Sequence, residues 1–164
     1  VVIRIIIISM SLKLLGGRLL AFSKTNFKWS GARFLTASNA PAASGNIFLS
    51  RVQVNIGSPG HNATIAVINL NDVRTRNSLS RENVYTLLET LNRLEEDQAR
   101  GEPIRALILR SNVPSVFCAG ANLKERQAMS RAQVESWLRV QRSLMDALSD
   151  FLYPTIAAIG GHAL

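Results

Sequence analysis

Two amphipathic stretches, each leading into a short aliphatic run, constrain the fold of this chain more than any other feature of its sequence. The first follows Ser80, a residue that can cap a helix, and extends to about Ala99, whereas the second covers residues 130–152. Apolar residues recur in both at every third or fourth position, which predicts two long helices. In the first stretch they are Val84, Leu87, Leu88, Leu91 and Leu94; in the second they are Val134, Trp137, Leu138, Leu144, Met145, Leu148 and Leu152. The runs at residues 104–110 and 155–159 have the length and composition of buried strands.

A β-hairpin is predicted before the first helix. Residues 47–55 and 64–69 are rich in β-branched side chains, and the Gly-Ser-Pro-Gly sequence at residues 57–60 supplies a turn between them. Residues 111–122 are predicted to be a loop that leads into a short helical piece, and Pro154 is predicted to end the second long helix. The order strand, strand, helix, strand, helix, strand indicates an α/β layer architecture.

The net charge of +8 is concentrated near the N-terminus. Residues 1–34 contain six basic residues and no acidic residue, whereas 13 basic and 11 acidic residues follow from residue 35 onward. The acid-free segment from Met10 alternates Leu and Phe with Lys and Arg and contains Ser and Thr, a composition typical of a mitochondrial transit peptide. Residues 33–38 also resemble a matrix processing site with cleavage after Phe34. These patterns predict a protein of the mitochondrial matrix; a disordered basic tail is the alternative.

The composition therefore predicts three parts: a leader at residues 1–34, a linker at residues 35–46 and a folded domain at residues 47–164. A start at Met10 would place the preceding nine residues outside the protein. That N-terminal apolar run is far shorter than the roughly 20 residues that cross a bilayer, so no stable membrane insertion is expected.

The sequence lacks several familiar sites. Cys118 is the only cysteine, so the chain cannot build an internal disulfide, and no pair of His, Cys or acidic residues has metal-ligand spacing. No glycine-rich phosphate-binding loop is present. A nucleophilic Cys118 would need a base, but neither His61 nor His162 belongs to a recognisable motif, so a small buried side chain is the favoured interpretation. For His162 a packing role is expected.

Three segments resemble the enoyl-CoA hydratase/isomerase (crotonase) family in order and spacing. The segment from Asn69 to Leu79 is similar to the family pattern N-x-P-x-x-x-N-(A/S)-L, with Val73 at a position that is often small. Residues 117–123 (FCAGANL) are similar to F-x-A-G-x-D-(L/I), and residues 154–164 are similar to P-(T/V)-I-A-A-(I/V)-x-G-x-(A/C)-x. Together with the following Lys-Glu-Arg, the second segment most closely resembles 3-methylglutaconyl-CoA hydratases. The resemblance implies the N-terminal part of a ββα spiral.

The resemblance also implies which residues meet the substrate. The backbone amide of Ala121 is expected to be one of two donors to the oxyanion of a thioester enolate, and Ala121, Asn122, Leu123 and Lys124 are expected to contact the CoA thioester. Small residues at 119–121 let the backbone approach a ligand closely, and amides at the following helix start add positive dipole. Asn122 replaces the usual aspartate, but it can still cap the helix. A solvated helix start is the alternative role for Lys124.

The implied reaction is reversible addition of water to a 2-enoyl-CoA, a lyase reaction, with 3-methylglutaconyl-CoA as the favoured substrate and a straight-chain enoyl-CoA as the next. Isomerisation of an enoyl-CoA is the alternative. The second donor glycine and the catalytic glutamates are expected beyond Leu164, so this fragment is expected to be inactive alone. Glu125, Glu135 and Asp146 are interpreted as surface residues. Coenzyme A belongs to the substrate, no permanently bound cofactor or metal is expected, and family members imply a homotrimer or homohexamer.

RNA binding is the main alternative from another functional class. Seven arginines lie within residues 74–110, namely Arg74, Arg76, Arg81, Arg93, Arg100, Arg105 and Arg110. Six acidic residues occur in the same region, which favours a mixed-charge helix surface over a nucleic-acid site. A non-catalytic homologue of the family is a further alternative.

Overall fold

The computed structural model describes residues 4–9, 45–55, 62–101 and 104–164. Its elements are, in chain order, β1 (Arg4–Ser9), β2 (Ile47–Asn55), β3 (Asn62–Leu70), α1 (Arg81–Ala99), β4 (Ala106–Ser111), β5 (Val116–Cys118), α2 (Leu123–Gln127), α3 (Arg131–Ser149), β6 (Thr155–Ile159) and β7 (His162–Ala163). Five strands form one sheet in the order β1-β6-β4-β3-β2, and β5 pairs with β7 in a second small sheet. The predicted α/β class is confirmed.

The main sheet combines a hairpin with parallel crossovers. β2 and β3 pair antiparallel from Ile47 opposite Leu70 to Asn55 opposite Asn62, so the predicted hairpin is confirmed, although its turn lies outside the described residues. β3, β4 and β6 are mutually parallel, with α1 and α3 in the connections between them. Such crossovers need a long connection, and a helix supplies it.

β1 pairs antiparallel with β6 at one edge of the main sheet. Its residues belong to the part of the sequence predicted as a leader. Almost all of the remaining predicted leader and linker lies outside the described ranges, so the proposed division at residues 34 and 46 stays a prediction. No helix in the part of the chain that the structure describes is long and apolar enough to span a bilayer.

The core lies between one face of the main sheet and the two long helices. From β3, β4 and β6 it receives alternate residues, such as Ala66 and Ile68, and from α1 it receives Val84, Leu87, Leu91 and Leu94 of the predicted stripe. Leu88, the fifth residue of that stripe, is partly buried and packs against this core. Each fully buried leucine contributes roughly 1.5–3 kcal/mol. The stripe of α3 is narrower than predicted, because Trp137, Leu144 and Leu148 are buried whereas Leu138 and Met145 are each 45% exposed.

Both long helices begin as predicted but α3 ends early. The Ser80 side chain accepts a hydrogen bond from Asn83 N, and Ser130 forms a capping box with Gln133. α3 ends at Ser149 and not at residue 152, and Pro154 lies too far away to be the cause. The chain leaves the helix at Asp150, and Phe151, which is 1% exposed, then turns into the core.

Besides β1, two short strands were not predicted. β5 lies within the segment predicted as a loop, and it pairs in parallel with β7, the strand that follows β6. Strands of two and three residues are too short for a periodic pattern. The packing role predicted for His162 is wrong, because its side chain is exposed while its backbone N–H donates to Ser115 O at 2.9 Å.

Candidate functional site

The loop between β3 and α1 is organised by Asn77. This residue adopts a left-handed conformation with φ of 56° and is only 4% exposed. Its Nδ2 donates to Ser111 Oγ at 2.8 Å and to Phe117 O at 3.1 Å, and its Oδ1 accepts from the Asp72 backbone N–H at 2.8 Å. Asparagine tolerates the left-handed region better than most residues. One side chain therefore joins the loop to the end of β4 and to β5.

Asp72 is the buried acceptor at the start of the same loop. One carboxylate oxygen accepts from the Thr75 backbone N–H at 3.0 Å, and the other accepts from the Thr75 hydroxyl and from Asn83 Nδ2. Burial raises the pKa of Asp72, but hydrogen bonds from Thr75 and Asn83 outweigh that effect and hold the pKa below its ordinary value. The ionised carboxylate therefore fastens the loop to α1.

The loop in turn holds the segment that follows β5. The Ala119 N–H donates to Arg76 O at 3.0 Å, and the Leu79 N–H donates to Gly120 O at 2.7 Å. Gly120 has φ of 76°, a conformation that suits glycine, and Leu79 forms an isolated parallel bridge with Ala121. The segment predicted to meet the thioester is thus fixed by backbone contacts to the β3–α1 loop.

These contacts determine the direction of the Ala121 amide. In a planar trans peptide the C=O and the following N–H point in opposite directions. Because Gly120 O faces Leu79 N, the Ala121 N–H faces away from Leu79. Within the described ranges this N–H has no hydrogen-bond acceptor. A ligand oxygen could therefore accept from it.

An open cleft of about 560 Å³ lies beside this amide. All four residues predicted to contact the thioester line it: Ala121, Asn122, Leu123 and Lys124. Asn122 caps the short helix α2 by accepting from the Glu125 N–H at 3.4 Å, as expected for its position.

The cleft also contains two arginines that sequence reasoning did not place in the site. Arg74 and Arg76 line it together with Lys124, and Glu125 is the one acidic residue among the lining residues described. Both arginines belong to the segment from Asn69 to Leu79, which was identified from the sequence as a family motif. That motif could have indicated that they lie near the site. Three cations against one carboxylate make the cleft suitable for an anionic ligand.

A second cavity, about 250 Å³ and mostly apolar, lies between the main sheet, α1 and α3. Ser78 lines both this cavity and the cleft. Cys118 also lines it, and burial raises the pKa of the Cys118 thiol, which keeps the thiol protonated and argues against a nucleophilic role.

Part of the arginine group considered for RNA binding makes contacts within the protein. Arg100 pairs with Glu96 at 3.0 Å on α1, and Arg110 Nε donates to Asn69 Oδ1 at 2.6 Å. Arg74 and Arg76 line the cleft, whereas Arg93 lies on α1 and Arg100 caps its C-terminal end. The arginines therefore belong to different parts of the structure.

Comparisons with known proteins agree with the architecture. The enoyl-CoA hydratase/isomerase family matches residues 60–164. The bovine protein named enoyl-CoA hydratase domain-containing protein 2, mitochondrial, is 41% identical over 136 residues, which cover 83% of this chain and 43% of that protein. Human methylglutaconyl-CoA hydratase, mitochondrial, is 38% identical over 103 residues, which cover 63% of this chain and 29% of that protein.

A solved structure shares the fold of this chain. The enoyl-CoA hydratase of Bacillus anthracis matches with a TM-score of 0.57 and 32% identity, over 71% of this chain and 40% of that one. The chain spans less than half the length of the relatives that it matches. The family model and the bovine relative each match more than half of the chain. The chain therefore belongs to the enoyl-CoA hydratase/isomerase family.

Proposed function

We propose that the cleft binds a coenzyme A thioester and that the Ala121 amide donates a hydrogen bond to the thioester oxygen. The observation that carries this proposal is the Ala121 N–H, which has no acceptor among the described residues and lies in a cleft with three cations. Arg74, Arg76 and Lys124 suit the phosphates of coenzyme A, since guanidinium and ammonium groups both bind phosphate.

The reaction that this arrangement supports best is reversible addition of water to a 2-enoyl-CoA. As the water oxygen bonds to C3, one water proton passes to a general base, the electrons of the double bond move toward C1 and negative charge develops on the thioester oxygen. A fixed amide at that oxygen stabilises the enolate, which then takes a proton at C2 to give the 3-hydroxyacyl-CoA. Removal of one such donor typically lowers the rate by about 10²–10³.

The carboxylates described near the cleft do not suit the role of base for the attacking water. Both oxygens of Glu125 accept hydrogen bonds, from the Arg81 N–H and from Asn122 Nδ2, and the Asp72 carboxylate is buried and occupied. We therefore propose that this 164-residue chain binds the thioester without turning it over. The assignment of the reaction to the intact enzyme rests on the family.

The preferred substrate within this proposal is 3-methylglutaconyl-CoA, supported by the name of the human relative and by the FCAGANLKER segment. Location in the mitochondrial matrix is supported by the basic, acid-free residues 1–34 and by the mitochondrial names of both curated relatives. Assembly into a homotrimer or homohexamer stays a prediction from the family resemblance.

Calorimetric titration with butanoyl-CoA, which has no double bond to hydrate, tests the proposed binding. We expect saturable binding at one site, and we expect R74A and R76A each to weaken it about fivefold, which corresponds to roughly 1 kcal/mol for a partly exposed ionic contact. R93A is the matched control, because Arg93 is exposed on α1 outside the cleft. Absence of binding, or equal weakening by R93A, would contradict the proposal.

A further inference from the structure

Glu125, interpreted from the sequence as a surface residue, is bonded to two parts of the chain. Its Oε2 accepts from the backbone N–H of Arg81 at 3.0 Å, and its Oε1 accepts from Asn122 Nδ2 at 3.0 Å. The Glu125 N–H donates in return to Asn122 Oδ1 at 3.4 Å. This partly exposed side chain therefore connects the start of α1 to the residue that follows Ala121.

The N-terminal end of α1 holds the Glu125 carboxylate in place. Arg81 is the first residue of that helix, so its N–H has no acceptor within the helix, and a carboxylate is favoured at this positive end of the dipole. α1 is itself held by the Ser80 cap and by its buried apolar stripe. Movement of Glu125 relative to the core is thereby restricted.

Ala121 lies between two residues that are both attached to this region. On one side Gly120 O accepts from the Leu79 N–H at 2.7 Å, two residues before the helix starts. On the other side Asn122 is joined through Glu125 to the Arg81 N–H. The residues on both sides of Ala121 are therefore attached to the short stretch of backbone at residues 79–81, Gly120 through its carbonyl and Asn122 through its side chain.

We propose that Glu125 is a positioning residue for the Ala121 amide. It acts through Asn122 and does not itself touch the acyl group. This inference rests on the proposed function, since it concerns how that amide meets a thioester oxygen. Glu125 also lines the cleft beside the cations, so its negative charge opposes the binding of phosphates. Loss of the side chain should accordingly weaken recognition of the thioester while leaving recognition of the phosphates intact or improved.

Comparison of butanoyl-CoA with free coenzyme A separates these two effects. For E125A we expect the ratio of the two affinities to fall about fivefold, the loss that follows from a misplaced hydrogen bond, while affinity for free coenzyme A stays the same or rises. E125Q keeps an oxygen that can accept one of the two bonds and should restore part of the ratio. E135A, which removes an exposed partner of Arg131 on α3, should leave both affinities unchanged. An unchanged ratio in E125A would overturn the proposal.

Amide hydrogen exchange in the unliganded chain provides a second measurement that does not depend on ligand binding. We expect the Arg81 N–H to exchange about tenfold faster in E125A, with altered amide signals at Ala121 and Asn122, and no change in E135A. If the unsubstituted chain binds neither compound, the proposed function fails, while exchange still decides whether Glu125 holds this backbone. Unchanged exchange and unchanged signals in E125A would overturn the positioning role.

Discussion

Replacement of Asn77 by alanine is expected to lower the free energy of unfolding by about 3–5 kcal/mol, because the substitution leaves several buried polar groups without partners. The Asp72 N–H loses its acceptor, and Phe117 O and Ser111 Oγ lose a donor. Alanine must also adopt the left-handed conformation of Asn77, which adds roughly 1–2 kcal/mol of strain. Urea denaturation followed by circular dichroism measures the change.

The substitution N112A is the matched control for N77A. Asn112 is exposed, and among the described residues no hydrogen bond of its side-chain amide is found, so we expect a change within about 0.5 kcal/mol. A loss below 1 kcal/mol in N77A, or an equal loss in N112A, would show that the Asn77 side chain does not organise the loop.

Replacement of Gly161 by alanine is expected to destabilise the chain by about 3 kcal/mol through a clash with backbone. A Cβ at this position would lie 2.2 Å from the carbonyl carbon of Ser115 and 2.4 Å from Val116 N. Because these atoms are backbone, β7 must move away from β5. The hydrogen bonds from His162 N to Ser115 O and from Leu164 N to Cys118 O would then lengthen or break.

Gly160 provides the control at the adjacent position. A Cβ there would meet no atom within 4 Å, and its φ lies outside the left-handed region. We expect G160A to change the free energy of unfolding by less than about 1 kcal/mol, in either direction, because alanine also restricts the unfolded chain. Similar stability of G160A and G161A would mean that close β5–β7 packing is not needed for the fold.

The sequence predicts those helices and strands whose composition or periodicity extends over enough residues to be recognised. β2 and β6 have the predicted bounds, and α1 begins after Ser80 and carries the predicted stripe. In each case β-branched or aliphatic composition, apolar periodicity or a cap acts over a few neighbouring residues. The cleft residues from Ala121 to Lys124 were predicted from the family motif. Their own composition and spacing do not indicate that they line a cleft.

Features that depend on distant contacts could not be predicted in the same way. Asn77 bonds a residue 40 positions away, and Glu125 accepts from an N–H 44 positions away. Contacts between residues so far apart in sequence produce no periodicity or capping motif. β5 and β7 pair with each other across more than 40 residues of sequence, and Arg74 lines the cleft from a loop whose hydrogen bonds centre on Asp72.

The Ala121 amide signal in a ¹H–¹⁵N NMR spectrum tests the central claim most directly. On titration with butanoyl-CoA, we predict a saturable downfield shift of the Ala121 proton, because that N–H acquires the thioester carbonyl oxygen as an acceptor where it has none among the described residues. Free coenzyme A, which has no thioester oxygen, should move signals of Arg74 and Arg76 but not that of Ala121. Binding of butanoyl-CoA without a shift at Ala121, or an equal shift with free coenzyme A, would contradict the account.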